Sequence, residues 1–161
     1  MTEHWSEFFV AEVGAAAALS GLLIVAISIN VQRILSFPQL PGRAAEMLIM
    51  LVGAMVICGI GLIPNVPPKL LGGGIGAIGF AMWLVPTVIQ VRSLIAVRGQ
   101  PMAWWLSRIV VTHCASLPIL IGGYLIFTGN GIGMYWIAAG VLITLAVTVW
   151  NSWILLIEIL R

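Results

Sequence analysis

The feature that most constrains this chain is a set of five long apolar runs, each almost free of charge. They cover about Phe8 to Ile29, Ala45 to Ile63, Leu70 to Val91, Trp104 to Phe127 and Tyr135 to Leu160. Each holds about 19 to 26 residues, and at about 1.5 Å per residue a helix of that length crosses about 30 Å of hydrocarbon. A bilayer core offers no water to backbone N–H and C=O groups, so each run must satisfy them within itself, as a helix. Strand-like alternation is missing, which argues against a β-barrel. The sequence therefore predicts an all-α, polytopic membrane helix bundle with five transmembrane helices. No connection is long enough to separate two units, so residues 1–161 are read as a single transmembrane helical domain.

Composition agrees. Apolar residues make up 61% of the chain and charged residues 7%, against about 25% charged in a soluble domain. That excludes an ordinary soluble enzyme, a disordered protein and a disulfide-built secreted module. A net charge of +2, dispersed along the chain, gives no footprint for nucleic acid. Cys58 and Cys114 both fall inside apolar runs and read as small core hydrophobes.

The few charges set an expected orientation. Arg33 and Arg43 lie in the first connection, Arg92 and Arg98 in the third, Arg108 just inside the fourth run, and Arg161 at the end. With five spans all six share one side, and only Lys69 is opposite. The positive-inside rule then predicts an outside N-terminus and a cytoplasmic C-terminus. The leader Met1 to Phe9 has no Lys or Arg and carries Glu3 and Glu7, so the first run reads as an uncleaved span rather than a secretory signal. Trp5, Trp104, Trp105, Tyr135 and Trp136 sit where an interfacial aromatic belt is expected.

Lipid supplies no hydrophobic drive for helix pairing, so small residues mark where helices approach closely. In the first span Gly14, Ala17, Gly21 and Ser28 share a face. In the third, Gly72, Gly76, Gly79, Trp83, Pro86 and Gln90 follow steps of four and three and form a continuous stripe, with an expected kink at Pro86. These small faces and the polar face of the fifth span are expected subunit contacts of a homo-oligomer.

Polar residues at membrane depth are the functional pointers. In the fifth span Thr144, Thr148, Asn151 and Glu158 join Gly140 and Leu155 on one face, within a sector of about 80°. Such a stripe faces the bundle interior, a water-filled path or another subunit. Glu12 and Asn30 lie on one side of the first span, five turns apart; Glu12 either reaches the interface or forms a cation or proton site at an outer mouth. His113 is the one histidine at depth, read as a satisfied interior histidine, a proton relay or a haem ligand completed across a two-fold axis. Glu46 and Glu158 lie near the basic side, where Arg43 and Arg92 are expected ion-pair partners. Glu46 is also expected in the first turn of its helix, where the dipole favours an anion. No spacing fits a metal site, no cofactor is implied, and no nucleophile–base–acid set can be assembled, so an enzyme is not expected.

Three stretches are familiar together. They are Phe8-Phe9-Val10-Ala11-Glu12-Val13-Gly14 with the alanine run to Leu22, Pro41-Gly42-Arg43-Ala44-Ala45-Glu46, and Tyr135 to Gly140 followed by Asn151-Ser152-Trp153 and Leu156 to Arg161. They resemble a group of small, uncharacterised bacterial integral membrane proteins. That resemblance implies a multi-pass protein of the bacterial cytoplasmic (inner) membrane and carries no activity. In size and tryptophan content the chain also resembles the tryptophan-rich sensory, or translocator, proteins, which bind tetrapyrroles and sterols. Its first connection, Asn30 to Ala44, lacks the tryptophan of that family's pattern. The leading expectation is an oligomeric channel- or transporter-like assembly for an ion, proton or small solute, lined by Glu12, Asn30, His113, Thr144, Thr148, Asn151 and Glu158. The alternatives are a non-transporting accessory subunit of a larger membrane complex, and an apolar-ligand or haem-binding module walled by Trp83, Trp150 and Trp153.

Overall fold

A computed structural model describes residues 5–96 and 102–160, with backbone alone at 96, 102–104, 107 and 158–160. Its order is α1 (Ser6–Ile29), α2 (Val31–Ser36), α3 (Leu40–Gly61), α4 (Pro68–Ala96), α5 (Met102–Phe127) and α6 (Gly133–Leu160). There is no strand among the described residues. Five of the helices are long and apolar enough to cross a membrane, which is the architecture of a multi-pass membrane protein.

Breakers set the ends. Pro41 occupies the first turn of α3, where its missing N–H costs nothing, so the helix starts at Leu40 rather than near Ala45. Glu46 consequently lies in the second turn, not the first. Asn65 adopts φ 57° in the tight α3–α4 turn. Gly129, at φ 86°, closes α5: its N–H bonds the carbonyl of Ile126, and the N–H of Asn130 bonds that of Leu125, a glycine-terminated helix end. Helices α4 and α5 continue through Pro86 and Pro118. The short α2 is absent from the sequence reading, because six residues are too few for periodicity to register.

Helices α3, α4, α5 and α6 form a ring in which each packs on the next, and α1 lies outside, against α3 with a lighter contact to α6. Burial follows: 56% of the most apolar window of α3 is buried, but only 17% of that of α1. One apolar cluster fills the ring, including Ala54, Ile57, Ile75, Met82, Ala115, Ile119, Ile137 and Val141. A second, with Leu23, Ile34, Leu40, Leu51 and Leu155, joins α1, α2, α3 and α6 at the end that carries most of the arginines. We call that end basic and the other the turn end.

At the turn end glycine decides the packing. A Cβ on Gly72 would collide with backbone atoms of Phe127 and Gly123, and one on Gly123 would sit 2.8 Å from the Gly76 nitrogen. Gly122 and Gly133 meet in the same way, with the Gly133 oxygen 2.7 Å from a Cβ on Gly122. The Gly72–Gly79 stripe is thus a seam between α4 and α5 inside one protomer, as is Gly140 of α6 against Ile119. The sequence reading had offered these faces as subunit contacts. By contrast Gly14 and Gly21 of α1 have nothing within 4 Å and face outward.

Candidate functional site

At the basic end the ring carries polar side chains where its apolar core would otherwise continue. Glu46 lies six residues into α3, about 9 Å from its start. It is buried, and its Oε1 accepts from Nη2 of Arg108 on α5, itself only 6% exposed. Gln90 of α4 is 2% exposed and donates from Nε2 to Glu46 Oε2 (3.3 Å) and to Thr112 Oγ1 of α5 (2.8 Å). Arg43, one turn before Glu46 and also buried, adds its positive charge beside the carboxylate. The guanidinium of Arg108 lies 5.4 Å from the Trp105 ring centroid, a cation–π contact that lets a charge sit where water does not.

The logic of the set is electrostatic. A charge at membrane depth needs a partner, and guanidinium is the cation best suited to a carboxylate because its fork is planar and weakly hydrated. Glu46 fixes the orientation of the Gln90 amide, since an ionised carboxylate only accepts. That leaves Gln90 Oε1 buried and without a hydrogen-bond partner in this arrangement. Beside the ion pair is a narrow cleft of about 30 Å³ lined by Arg43, Glu46, Arg108, Thr112, Thr148 and Asn151. That volume holds about one water.

The structure draws together part of the predicted set. Arg43, Glu46, Thr148 and Asn151 converge on this cleft. Arg92 does not: it is exposed, and the partner of Glu46 is Arg108. The physical reason is position. Arg108 lies one turn before Thr112 on the face of α5 turned to Gln90 and Glu46. The side chain of Glu158, and the whole of Arg98, lie outside the described residues.

Thr144 is fully buried, with its hydroxyl donating to Gly140 O at 2.7 Å, and Thr148 donates to Thr144 O at 2.7 Å. These hydroxyls are satisfied within their own helix. The upper part of the fifth-span stripe is therefore helix packing, and only Thr148 and Asn151 border the cleft. Glu12 is at the opposite end, half-buried beside Cys58, with Oε2 buried and without a hydrogen-bond partner. Asn30 caps α1, donating to Ala26 O at 2.9 Å. His113 bonds Ile109 O through Nδ1 at 2.8 Å and meets the Trp83 ring edge-on at 6.1 Å, in a separate apolar cleft between α4 and α5. The carbonyl only accepts, so Nδ1 carries the proton in that contact.

Trp105 is buried, with the Arg108 guanidinium against its ring. Trp5 and Tyr135 do pair at the turn end, ring centroids 4.9 Å apart. Cys58 is buried as expected, whereas Cys114 is exposed. Trp150 and Trp153 are exposed on α6, and Trp83 is on α4, so the three tryptophans form no common wall. Among the described residues no group of three or more His, Cys, Asp or Glu side chains is gathered as a metal site requires. Sequence reasoning missed three members of the network, Gln90, Arg108 and Thr112. Gln90 had a signal: it ends the glycine stripe that faces α5. Arg108 and Thr112, four apart on one helix face, had another.

Comparison with known proteins adds no relative: no protein-family model, no curated protein and no solved structure matches this chain.

Proposed function

We propose that this is a channel- or transporter-like membrane protein that passes a small ion or proton, assembled as a homo-oligomer. The observation that carries the reading is the buried Glu46–Arg108 pair, joined by Gln90 and Thr112 and opening on a polar cleft between α3, α5 and α6. Ionisable groups inside a membrane bundle are costly and generally mark an ion or proton path. The small volume of the cleft, about 30 Å³, favours a proton or a nearly bare ion over a larger solute. An ion pair is also an exchangeable lock: an incoming ion competes for one partner, and the orphan acceptor on Gln90 can receive a donor as the pair opens.

The orientation proposed is N-terminus outside and C-terminus cytoplasmic, in a bacterial inner membrane. The arginine bias supports the first, and the resemblance to small bacterial membrane proteins supports the second. The protein-free cleft and the network then lie toward the cytoplasmic side, within the span.

Reconstitution into liposomes carrying a pH-sensitive or ion-sensitive dye tests the reading. The expected result is a leak or exchange current above empty vesicles that falls at least tenfold in Glu46→Gln. No flux from the correctly folded oligomer overturns it. A second reading, a non-transporting accessory subunit, is favoured by Thr144, which is fully buried with its hydroxyl satisfied on Gly140 O of its own helix. There the network is a clamp on three helices. That reading expects copurification with a larger membrane complex and no flux.

A further inference from the structure

A second carboxyl lies at membrane depth, and the network at the basic end makes no use of it. Glu12 is the seventh residue of α1, about 9 Å from its start at the turn end. Helix α1 packs on α3 in an antiparallel seam, and side chains mark its register. The ring of Phe9 lies on Gly61, where an added Cβ would come within 2.7 Å of it. Three residues on along α1 and three back along α3, Glu12 lies beside Cys58. The same register brings Ala16 level with Ala54 one turn further on. Both alanines are fully buried, as are Phe9 and Cys58. Glu12 is thus set into a seam that is apolar above and below it.

We propose that Glu12 is a proton-binding site: in the membrane its carboxyl is held as the neutral acid. A glutamate at this depth keeps its charge only by reaching the interface or by finding a partner. Its Oε2 does neither, being buried and without a hydrogen-bond partner, and the Phe9 ring fills the seam one turn nearer the water. An ionised carboxylate only accepts hydrogen bonds. Buried without a donor or a cation, it bears the full cost of desolvation, and taking up a proton removes the charge. The described residues of the elements packed on α1 supply no cation there. Cys58 is the titratable group that α3 brings to it. Tyr135 of α6 meets Trp5, two turns earlier on α1. Glu7 is exposed on α1 itself, and α2, with Arg33, is at the far end.

The chemistry of the seam selects a proton over a metal ion. A hard cation needs a shell of several oxygens. The neighbour of Glu12 on α3 is a thiol, and Ser20, two turns on along α1, donates its hydroxyl to Ala16 O at 2.7 Å. Glu46 is the opposite case. Arg108 supplies it with a charge and Gln90 with a donor, so it stays ionised. From the level of Cys58 to Glu46 is about 18 Å along α3, so the protein carries one acid and one ion toward opposite ends of the span. A place for Glu12 in a proton flux rests on the function proposed above. Its proton does not, and both measurements below can be made on protein that passes no flux.

Infrared spectra of the full chain in liposomes at neutral pH read the acid directly, through the C=O band of a protonated carboxyl. That band is expected in the unmodified protein and in Glu46→Gln. It is expected to be lost in Glu12→Gln, whose amide keeps the shape of the acid. A band unchanged by Glu12→Gln, or no band at all, overturns the proposal. Labelling with the hydrophobic reagent dicyclohexylcarbodiimide gives a second readout. The acid passes its proton to a diimide nitrogen while its oxygen bonds the central carbon, and acyl transfer to nitrogen leaves a stable N-acylurea. Each pH unit that favours the ionised form cuts the acid form about tenfold. Glu12 is therefore expected to take at least about ten times the label of Glu46, read by peptide mass spectrometry. Equal labelling of the two overturns the proposal. Protection of Glu12 by sodium chloride but not by choline chloride overturns it in favour of a metal-cation site.

Discussion

The two ends of the ring are held by opposite means. At the turn end backbones touch directly through Gly72, Gly76, Gly122, Gly123 and Gly133, with no polar side chain needed. At the basic end the helices meet through Glu46, Arg108, Gln90 and Thr112. Close backbone packing depends on shape and tolerates no added atom. A buried ion pair depends on charge balance, and each partner is costly alone. A bundle fastened by shape at one end and by exchangeable charge at the other is rigid where it is glycine-packed and adjustable where it is polar. This is why the candidate site belongs at the basic end.

The strongest way to break the comparison is to unpair the charge. Arg108→Leu is expected to cost about 3 to 5 kcal/mol, because Glu46 is left buried beside an apolar side chain. Glu46→Gln with Arg108→Leu together is expected to recover most of that loss. Denaturation in mixed micelles with a double-mutant cycle measures both, and additive losses would falsify the coupling. At the other end Gly123→Ala is expected to cost about 1 to 3 kcal/mol by pressing a methyl group on the Gly76 backbone, read by the same denaturation. Gln90→Leu comes next, at about 1 kcal/mol, with a change in flux larger than its change in stability.

Thr144→Val sharpens the contrast from the quiet side. Its hydroxyl bonds only its own helix, so a loss of about 0.6 kcal/mol and unchanged flux are expected; a flux defect would mean that the upper stripe is wet. The smallest effect is expected at Gly14→Ala and Gly21→Ala, within about 0.5 kcal/mol in the protomer. Chemical crosslinking then decides whether this outward face is an oligomer contact: Gly21→Leu should lower the crosslinked oligomer if it is, and leave it unchanged if it is not.

Much of the scaffold is legible from the chain because membrane spanning is a local property. Length and hydropathy of each run suffice, although Pro41, read as part of the first connection, lies in the first turn of α3. The site was legible only by type. Glu46 had to find a guanidinium, and the one that bonds its Oε1 is Arg108, 62 residues further on, rather than Arg92. Which arginine reaches it depends on the rotation of α5 about its axis, and that is fixed by glycine contacts several turns away. The threonine stripe misled for a related reason. A serine or threonine in a helix can satisfy itself on the carbonyl four residues back, so its presence at depth does not require a path.

The sequence by itself determined the membrane class, the five helices and the gathering of arginines at one end, since these follow from transfer free energies summed along the chain. Tertiary structure alone decided that the glycine faces of the third and fifth spans are internal seams, that Arg108 and Gln90 complete the Glu46 network, and that α1 lies outside the ring against α3. Each of these depends on helix rotation and side-chain volume, quantities that no single span carries.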